Sequence, residues 1–224
     1  MMARMAHFLS VVLLLIRLSR PGSTDDPGDT KVPFEEDPQY DCYQYAKQVM
    51  DIKGKIYVMK QNFNATPPPL CDSAEVVEKI NDTYYVVTLA AIVPMLKLNN
   101  TLVKFNTSFA LSKTGNHSQE NAMTYKYTTT DMPKLRKLMY LSPNKTCMIF
   151  VDDRNSTDPA RCQLLMPREH ANNSIPSDCQ TVYNSSCSGD LQLTVYQPWC
   201  QNLPEISVQE LLKRLNTTPP ADNC

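Results

Sequence analysis

Residues 144–151 read NKTCMIFV, residues 162–167 read CQLLMP, and residues 175–183 read IPSDCQTVY. The first two are short, largely apolar runs with a cysteine at or near the start. The third enters a helix at Pro176, whose fixed φ and missing N–H suit a first helical position. Working outward, similar β-rich segments lie at 54–63, 71–77, 83–91, 101–111, 122–128 and 134–141, with the quoted strands at 146–151 and 161–166. Sequons, prolines and polar clusters divide them. Tyr57/Met59, Leu102/Lys104 and Tyr125/Tyr127 belong to imperfectly alternating runs, as strands with one face toward an interior require. Eight short strands at close spacing predict an up-and-down barrel or a sandwich.

Helices flank this β region. Asp37 as N-cap and Pro38 at the first helical position, followed by Cys42, Tyr45, Ala46 and Val49 at helical spacing, predict a short amphipathic helix over 38–50. Residues 176–187 read as a helix and 191–197 as extended chain. Ser207 with Glu210 three residues on forms a capping box, and Val208, Leu211, Leu212 and Leu215 share a face, so a C-terminal helix is expected over 206–216.

The chain carries ten N-x-S/T sequons, at Asn64, Asn81, Asn99, Asn106, Asn116, Asn144, Asn155, Asn172, Asn184 and Asn216. Sequons act only on a secreted chain with a solvent-facing acceptor. Cysteines at 42, 71, 147, 162, 179, 187, 200 and 224 form an even set, as a disulfide framework in an oxidising compartment requires. The apolar run at 8–16, preceded by Arg4, is too short to span a bilayer and reads as part of a signal peptide over 1–22. Residues 23–37, acidic and proline-bearing, read as a disordered leader. Residues 38–224 then form one domain, with an extension from about residue 201. No later apolar stretch reaches spanning length, and the polar tail argues against a lipid anchor. The expectation is a secreted, extracellular glycoprotein.

Composition excludes other classes. The net charge is −1, and lysines and arginines are scattered without interleaved aromatics, which argues against nucleic acid. His7 lies in the signal region, His117 inside a sequon and His170 in a polar loop. None forms a metal-binding pattern, and there is no C-x-x-C, so neither metal nor cofactor is expected. No G-x-S-x-G or glycine-rich phosphate loop appears, and the Asp152/Asp153 pair reads as exposed turn residues. Nothing supplies a nucleophile with its base, so the chain is not expected to be an enzyme.

Tyr57, Phe63, Tyr84, Tyr85, Phe105, Phe109, Tyr125, Tyr127 and Phe150 all fall on expected strands. Their inward members either pack a solid core or, with methionines, line a barrel with room for one small ligand. Periodicity does not choose between these.

In order and spacing the motifs resemble those of the tick salivary lipocalins, the histamine-binding protein family. KIYVMKQNFN followed by Cys71 resembles the family's first strand and first barrel cysteine. NAMTYKYT resembles its strand with a central aromatic pair, and NKTCMIFV, CQLLMP and IPSDCQTVY its strand–strand–helix ending. The resemblance covers residues 42–200. It implies a mainly β fold: an eight-stranded antiparallel up-and-down lipocalin barrel with a short N-terminal helix and one or two C-terminal helices. It also implies bridges Cys147–Cys179 and Cys71–Cys200. Some members carry an extra bridge matching Cys162–Cys187, which leaves Cys42 and Cys224 to pair.

The family's amine-binding members place an acid shortly after the first strand's final aromatic, where this chain has Phe63 followed by Asn64, Ala65, Thr66 and Pro67. A second acid lies in the last strand beside a tryptophan, where this chain reads Cys162, Gln163, Leu164, Leu165, and Trp199 lies outside the strands. A third follows the fifth strand, where 133–135 offers none unless Asp131 shifts into register. The resemblance with these departures implies a predominantly neutral, apolar or phenolic interior. The ligand expected is a hydrophobic lipid mediator rather than an amine, captured by a salivary monomer that suppresses host inflammatory or immune defence. Histamine or another biogenic amine is the runner-up. A competing class is a protein-binding immunomodulator that captures a chemokine, complement factor or immune receptor through loops at 67–69 and 167–175. A protease inhibitor is disfavoured because the cysteines are spread over a long β domain. Phe63, Met123, Tyr125 and Leu165 are the residues expected to face the ligand. Phe63 ends the first strand beside a proline-rich mouth loop, and Met123 and Tyr125 share one face by period-two alternation.

Overall fold

Ten strands and three α-helices organise the chain between residues 32 and 217, which the computed structural model describes apart from Pro67, Asn99, Thr129 and Ser188. The expected signal peptide, most of the leader and Cys224 lie outside the described residues. All eight expected barrel strands form, as β1 (Ile56–Gln61), β2 (Ser73–Lys79), β3 (Tyr84–Ile92), β4 (Leu102–Ser112), β5 (Ala122–Tyr125), β6 (Lys134–Leu141), β7 (Met148–Asp152) and β8 (Cys162–Pro167). Antiparallel pairing runs β4-β3-β2-β1-β8-β7-β6-β5, and a β4–β5 pairing joins the two ends. The sheet is therefore a closed antiparallel barrel, and closure leaves no edge among these eight strands. Two short strands are added outside it. β9 (Leu193–Thr194) pairs with β1, and β10 (Glu205–Ser207) runs parallel to β4.

The period-two rule sorts side chains between two cores. Ile56, Val58, Met148, Phe150 and Leu165 point inward with Val87, Phe109 and Met123. Ile149, Val151, Cys162, Leu164 and Met166 point outward and are covered by Cys179, Tyr183 and Cys187 of helix α2 (Ser177–Ser186) and its end. Three bulges interrupt the alternation, between Val58 and Lys60, Val76 and Glu78, and Leu138 and Tyr140. Each shifts the facing of the later residues in its strand by one position.

The N-terminal region departs from expectation. The helix expected over 38–50 is split into a 3-10 segment, Pro38–Tyr43, capped by the Asp37 carboxylate, and a short α1 (Ala46–Met50). Gln44 breaks it. Its buried amide donates to the carbonyls of Phe34 and Met139, while Ala46 N–H bonds the carbonyl of Glu120. The leader is not disordered to its end either. Phe34–Glu36 forms a 3-10 turn, with Glu35 buried and paired to Arg154 at 2.7 Å. Lys137 ties Glu36 (2.5 Å) to Asp153 (2.7 Å). His117, inside the sequon that begins at the exposed Asn116, is itself buried against Gln44.

The bridges Cys71–Cys200, Cys147–Cys179 and Cys162–Cys187 are present. Cys42 is exposed and forms no bridge among the described residues, and its expected partner lies outside them. Helix α3 (Val208–Thr217) is capped by Ser207, which accepts from Glu210 N–H. Leu211 is buried on it, whereas Leu212 faces solvent, so the apolar face is narrower than expected. Asparagines 64, 81, 106, 116, 144, 155, 172, 184 and 216 are exposed, and Asn99 is outside the described residues.

Candidate ligand-binding cavity

The barrel is hollow. A cavity of about 630 Å³ runs down from the end where the 62–72, 93–101, 126–133 and 153–161 connections gather. Its wall is mostly aliphatic and aromatic, from Ile56, Val58, Val87, Phe109, Met148 and Phe150 among others, and α1 contributes Val49 and Met50. The strand aromatics divide. Phe105, Phe109, Tyr125, Tyr127 and Phe150 line the cavity, while Tyr57 faces an outer cluster and Tyr84 is exposed. Phe109 and Tyr125 stack with centroids 4.0 Å apart.

Phe63, Met123, Tyr125 and Leu165 all lie on the cavity wall. β5 carries no bulge, so Met123 and Tyr125 keep the phase that simple alternation gives them. Phe63 arrives differently from its expectation. β1 ends at Gln61, and Phe63 sits in the bend beyond it, half-buried, with the Arg161 guanidinium 4.5 Å from its ring centroid.

The interior is not predominantly neutral as expected. Asp72, Glu75, Asp131, Lys134, Arg136, Asp152 and Arg161 also line it. Burial of a charge is tolerated when it is paired and hydrogen-bonded, and a belt across β1, β8, β7 and β6 supplies this. Gln61 donates to the Phe63 carbonyl (2.7 Å) and accepts from Gln163 (2.8 Å). Gln163 in turn accepts from Arg136 Nη1 (2.5 Å), which also reaches the Tyr125 hydroxyl at 3.3 Å. Arg136 Nε lies 3.0 Å from Asp152, whose second oxygen meets Arg161 at 3.1 Å. Arg136 is 2% exposed. Burial works against its charge, but the oxygens of Tyr127, Tyr125 and Asp152 hold its pKa above the ordinary value. Asp152 is thus no exposed turn residue. It closes β7 opposite Arg136, in register. Three buried atoms in this belt, Arg136 Nε and Nη2 and the Tyr127 hydroxyl, complete no hydrogen bond, although Nε lies within ion-pair distance of Asp152.

Asp72 stands on the other side. It precedes β2, four strands from β6 either way around the ring. Burial pushes its carboxyl up to about 6, against a hydrogen bond from the Leu70 backbone. Sequence reading missed both groups. Asp72 lies inside a run read as strand, and Arg136 sits in KLRK, where nothing local separates the cavity-lining Lys134 and Arg136 from the outward Lys137.

Asp72→Asn is expected to stabilise the fold by ~1–3 kcal/mol at pH 7.5 and to change little near pH 3.5. The unfolded carboxyl releases its proton near 3.8, whereas the folded one keeps it to about 6. Between those values the folded chain binds more protons, so stability falls as pH rises and stays reduced above 6. Urea denaturation at the two pH values measures this. An equal effect at both would assign it to packing rather than ionisation.

A family model described as tick histamine binding protein matches residues 34–202. No curated protein sequence matches the chain. Among solved structures, AM182 in complex with serotonin superposes with a TM-score of 0.55 at 12% identity, covering 71% of this chain and 94% of that one. Insecticyanin of the tobacco hornworm Manduca sexta gives 0.51 at 8% identity, covering 70% and 85%. Japanin of Rhipicephalus appendiculatus bound to cholesterol gives 0.46 at 10%, covering 64% and 92%. At such identities the first two likenesses bear on the fold alone.

Proposed function

The chain belongs to the tick histamine-binding protein family, whose model spans most of it, and on that premise we propose that it is a secreted salivary scavenger of a lipid-sized mediator. The cavity carries this reading. Its volume of about 630 Å³ falls within the roughly 300–1,000 Å³ of sites that bury a drug-sized ligand, and its wall is largely apolar. Such walls stabilise a long apolar chain at about 25 cal/mol for each Å² removed from water. A small amine would leave most of this volume unfilled. Action is stoichiometric: the free concentration of a host inflammatory or immune mediator falls because the barrel holds it, with no bond made or broken. Asn64, at the cavity mouth, is an acceptor where a glycan would flank entry.

A second reading is an amine ligand, with its ammonium against Asp72, a buried acid on the wall that Glu75 also lines. The solved neighbour holding serotonin keeps it in view. Native mass spectrometry of deglycosylated secreted protein, followed by solvent extraction, is expected to recover one defined lipid at near-unit stoichiometry. Calorimetric titration with histamine and serotonin is expected to give only weak heats. Micromolar or tighter amine binding would reverse the preference.

A further inference from the structure

The cavity has a polar end that the scavenger reading leaves without a task. Two guanidiniums, Arg136 and Arg161, share the single Asp152 carboxylate at 3.0 and 3.1 Å, which leaves one positive charge unbalanced. Asp131 and Lys134 add one charge of each sign at the rim. Arg161 is more than half exposed, so water serves it. Arg136 has no such recourse. Nη1 donates to Gln163 and Tyr125, and Nε completes no hydrogen bond but lies 3.0 Å from the Asp152 carboxylate, while Nη2 is buried with neither a hydrogen bond nor an ion-pair partner. The Tyr127 hydroxyl is likewise buried without a hydrogen bond, and the Arg136 guanidinium carbon lies 5.6 Å from the Tyr127 ring centroid. Both atoms belong to side chains on the cavity wall. Unmade hydrogen bonds of buried donors are costly, most of all for a charged donor. A ligand oxygen that accepts from both would satisfy them together.

We propose that Arg136 Nη2 and the Tyr127 hydroxyl are the seat for the carboxylate head of an amphiphile whose apolar chain fills the rest of the barrel. The proposal rests on the reading of the cavity as a lipid site and adds the polarity of its ligand. Asp72 and Glu75 fix the same direction from across the ring: a carboxylate beside Arg136 lies on the wall away from these two acids of the β2 side. Next to the belt the Tyr125 ring stacks on Phe109, an aromatic surface that suits the first carbons of the chain.

The test uses three probes with one alkyl chain and different heads, titrated calorimetrically into lipid-stripped full-length mature protein: dodecanoate, methyl dodecanoate and dodecylamine. Dodecanoate is expected to bind roughly 10- to 100-fold more tightly than its ester, the gain for hydrogen bonds to a charged partner, and dodecylamine is expected to bind no better than the ester. Tyr127→Phe, which removes one oxygen, should cut the acid-to-ester ratio several-fold without lowering the thermal midpoint of the free protein. Arg136→Gln should bring the ratio to about one, with ester binding retained. Equal binding of acid and ester by the unaltered protein would overturn the carboxylate seat while leaving the lipid site standing. Tightest binding of dodecylamine would overturn it in favour of Asp72. Failure of all three probes would remove the lipid reading and the seat with it. Because the first comparison needs no variant, an unfolded Arg136→Gln protein does not shelter the proposal.

Discussion

Asp152→Ala is expected to destabilise the protein by about 3 kcal/mol, at the lower end of what removing one member of a buried ion pair costs. Arg136 would keep its charge, 2% exposed, with its carboxylate partner gone. The lower end applies because the Asp152 side chain is itself 24% exposed, so water would reach part of the vacated space. Loss of the contact to Arg161 adds little, since that guanidinium is already half in solvent. The double variant Asp152→Ala/Arg136→Met should recover much of the loss, because the expensive state is an unpaired charge rather than a missing pair. Denaturant midpoints of the two variants measure this. A double variant less stable than the single would mean that the belt of Gln61, Gln163 and Tyr125 holds the barrel by its hydrogen bonds instead.

Replacing both Cys71 and Cys200 with serine is expected to cost about 4–5 kcal/mol, the largest effect of any bridge. The two cysteines are 129 residues apart, so their bond removes more freedom from the unfolded chain than the others, which span 32 and 25 residues. The site should loosen as well, because Cys71 immediately precedes Asp72 and its N–H holds the Val195 carbonyl at 2.9 Å. The comparison is with Cys162→Ser/Cys187→Ser, for which the same chain-entropy argument gives about 3.5 kcal/mol. A reversed ranking would place the stabilisation in local packing around the sulfurs rather than in loop closure.

Strand positions were legible because each strand has one apolar face and the loops between them carry prolines and sequons. The two inward residues on β5, Met123 and Tyr125, were legible for the same reason, with no bulge to upset the count. Helix α3 announced itself through Ser207 and Glu210. What stayed hidden depends on contacts far away in sequence. Gln44 looks like any polar helix residue until the carbonyl of Met139 is brought to it. Glu35 reads as leader because Arg154 lies 119 residues on. Arg136 and Asp152 read as surface charges because neither sequence neighbourhood contains the other. The bulge between Leu138 and Tyr140 further obscures which residues of β6 face in. The charged belt was therefore invisible to a local reading, and the interior looked more neutral than it is.

The ring is fastened unevenly. No cysteine falls between positions 71 and 147, so β2 to β6 close by backbone pairing and side-chain packing alone. Within that arc the β4–β5 contact has three residue pairs, Ala110 with Thr124, Leu111 with Met123 and Ser112 with Ala122. Only β1–β2 is shorter, at two pairs, and there Cys71 is clamped to Cys200. Mechanically this is a hoop with three rivets on one side and a plain clasp on the other. Strain applied from within, as by a guest slightly too large, would part the clasp before it reached the rivets.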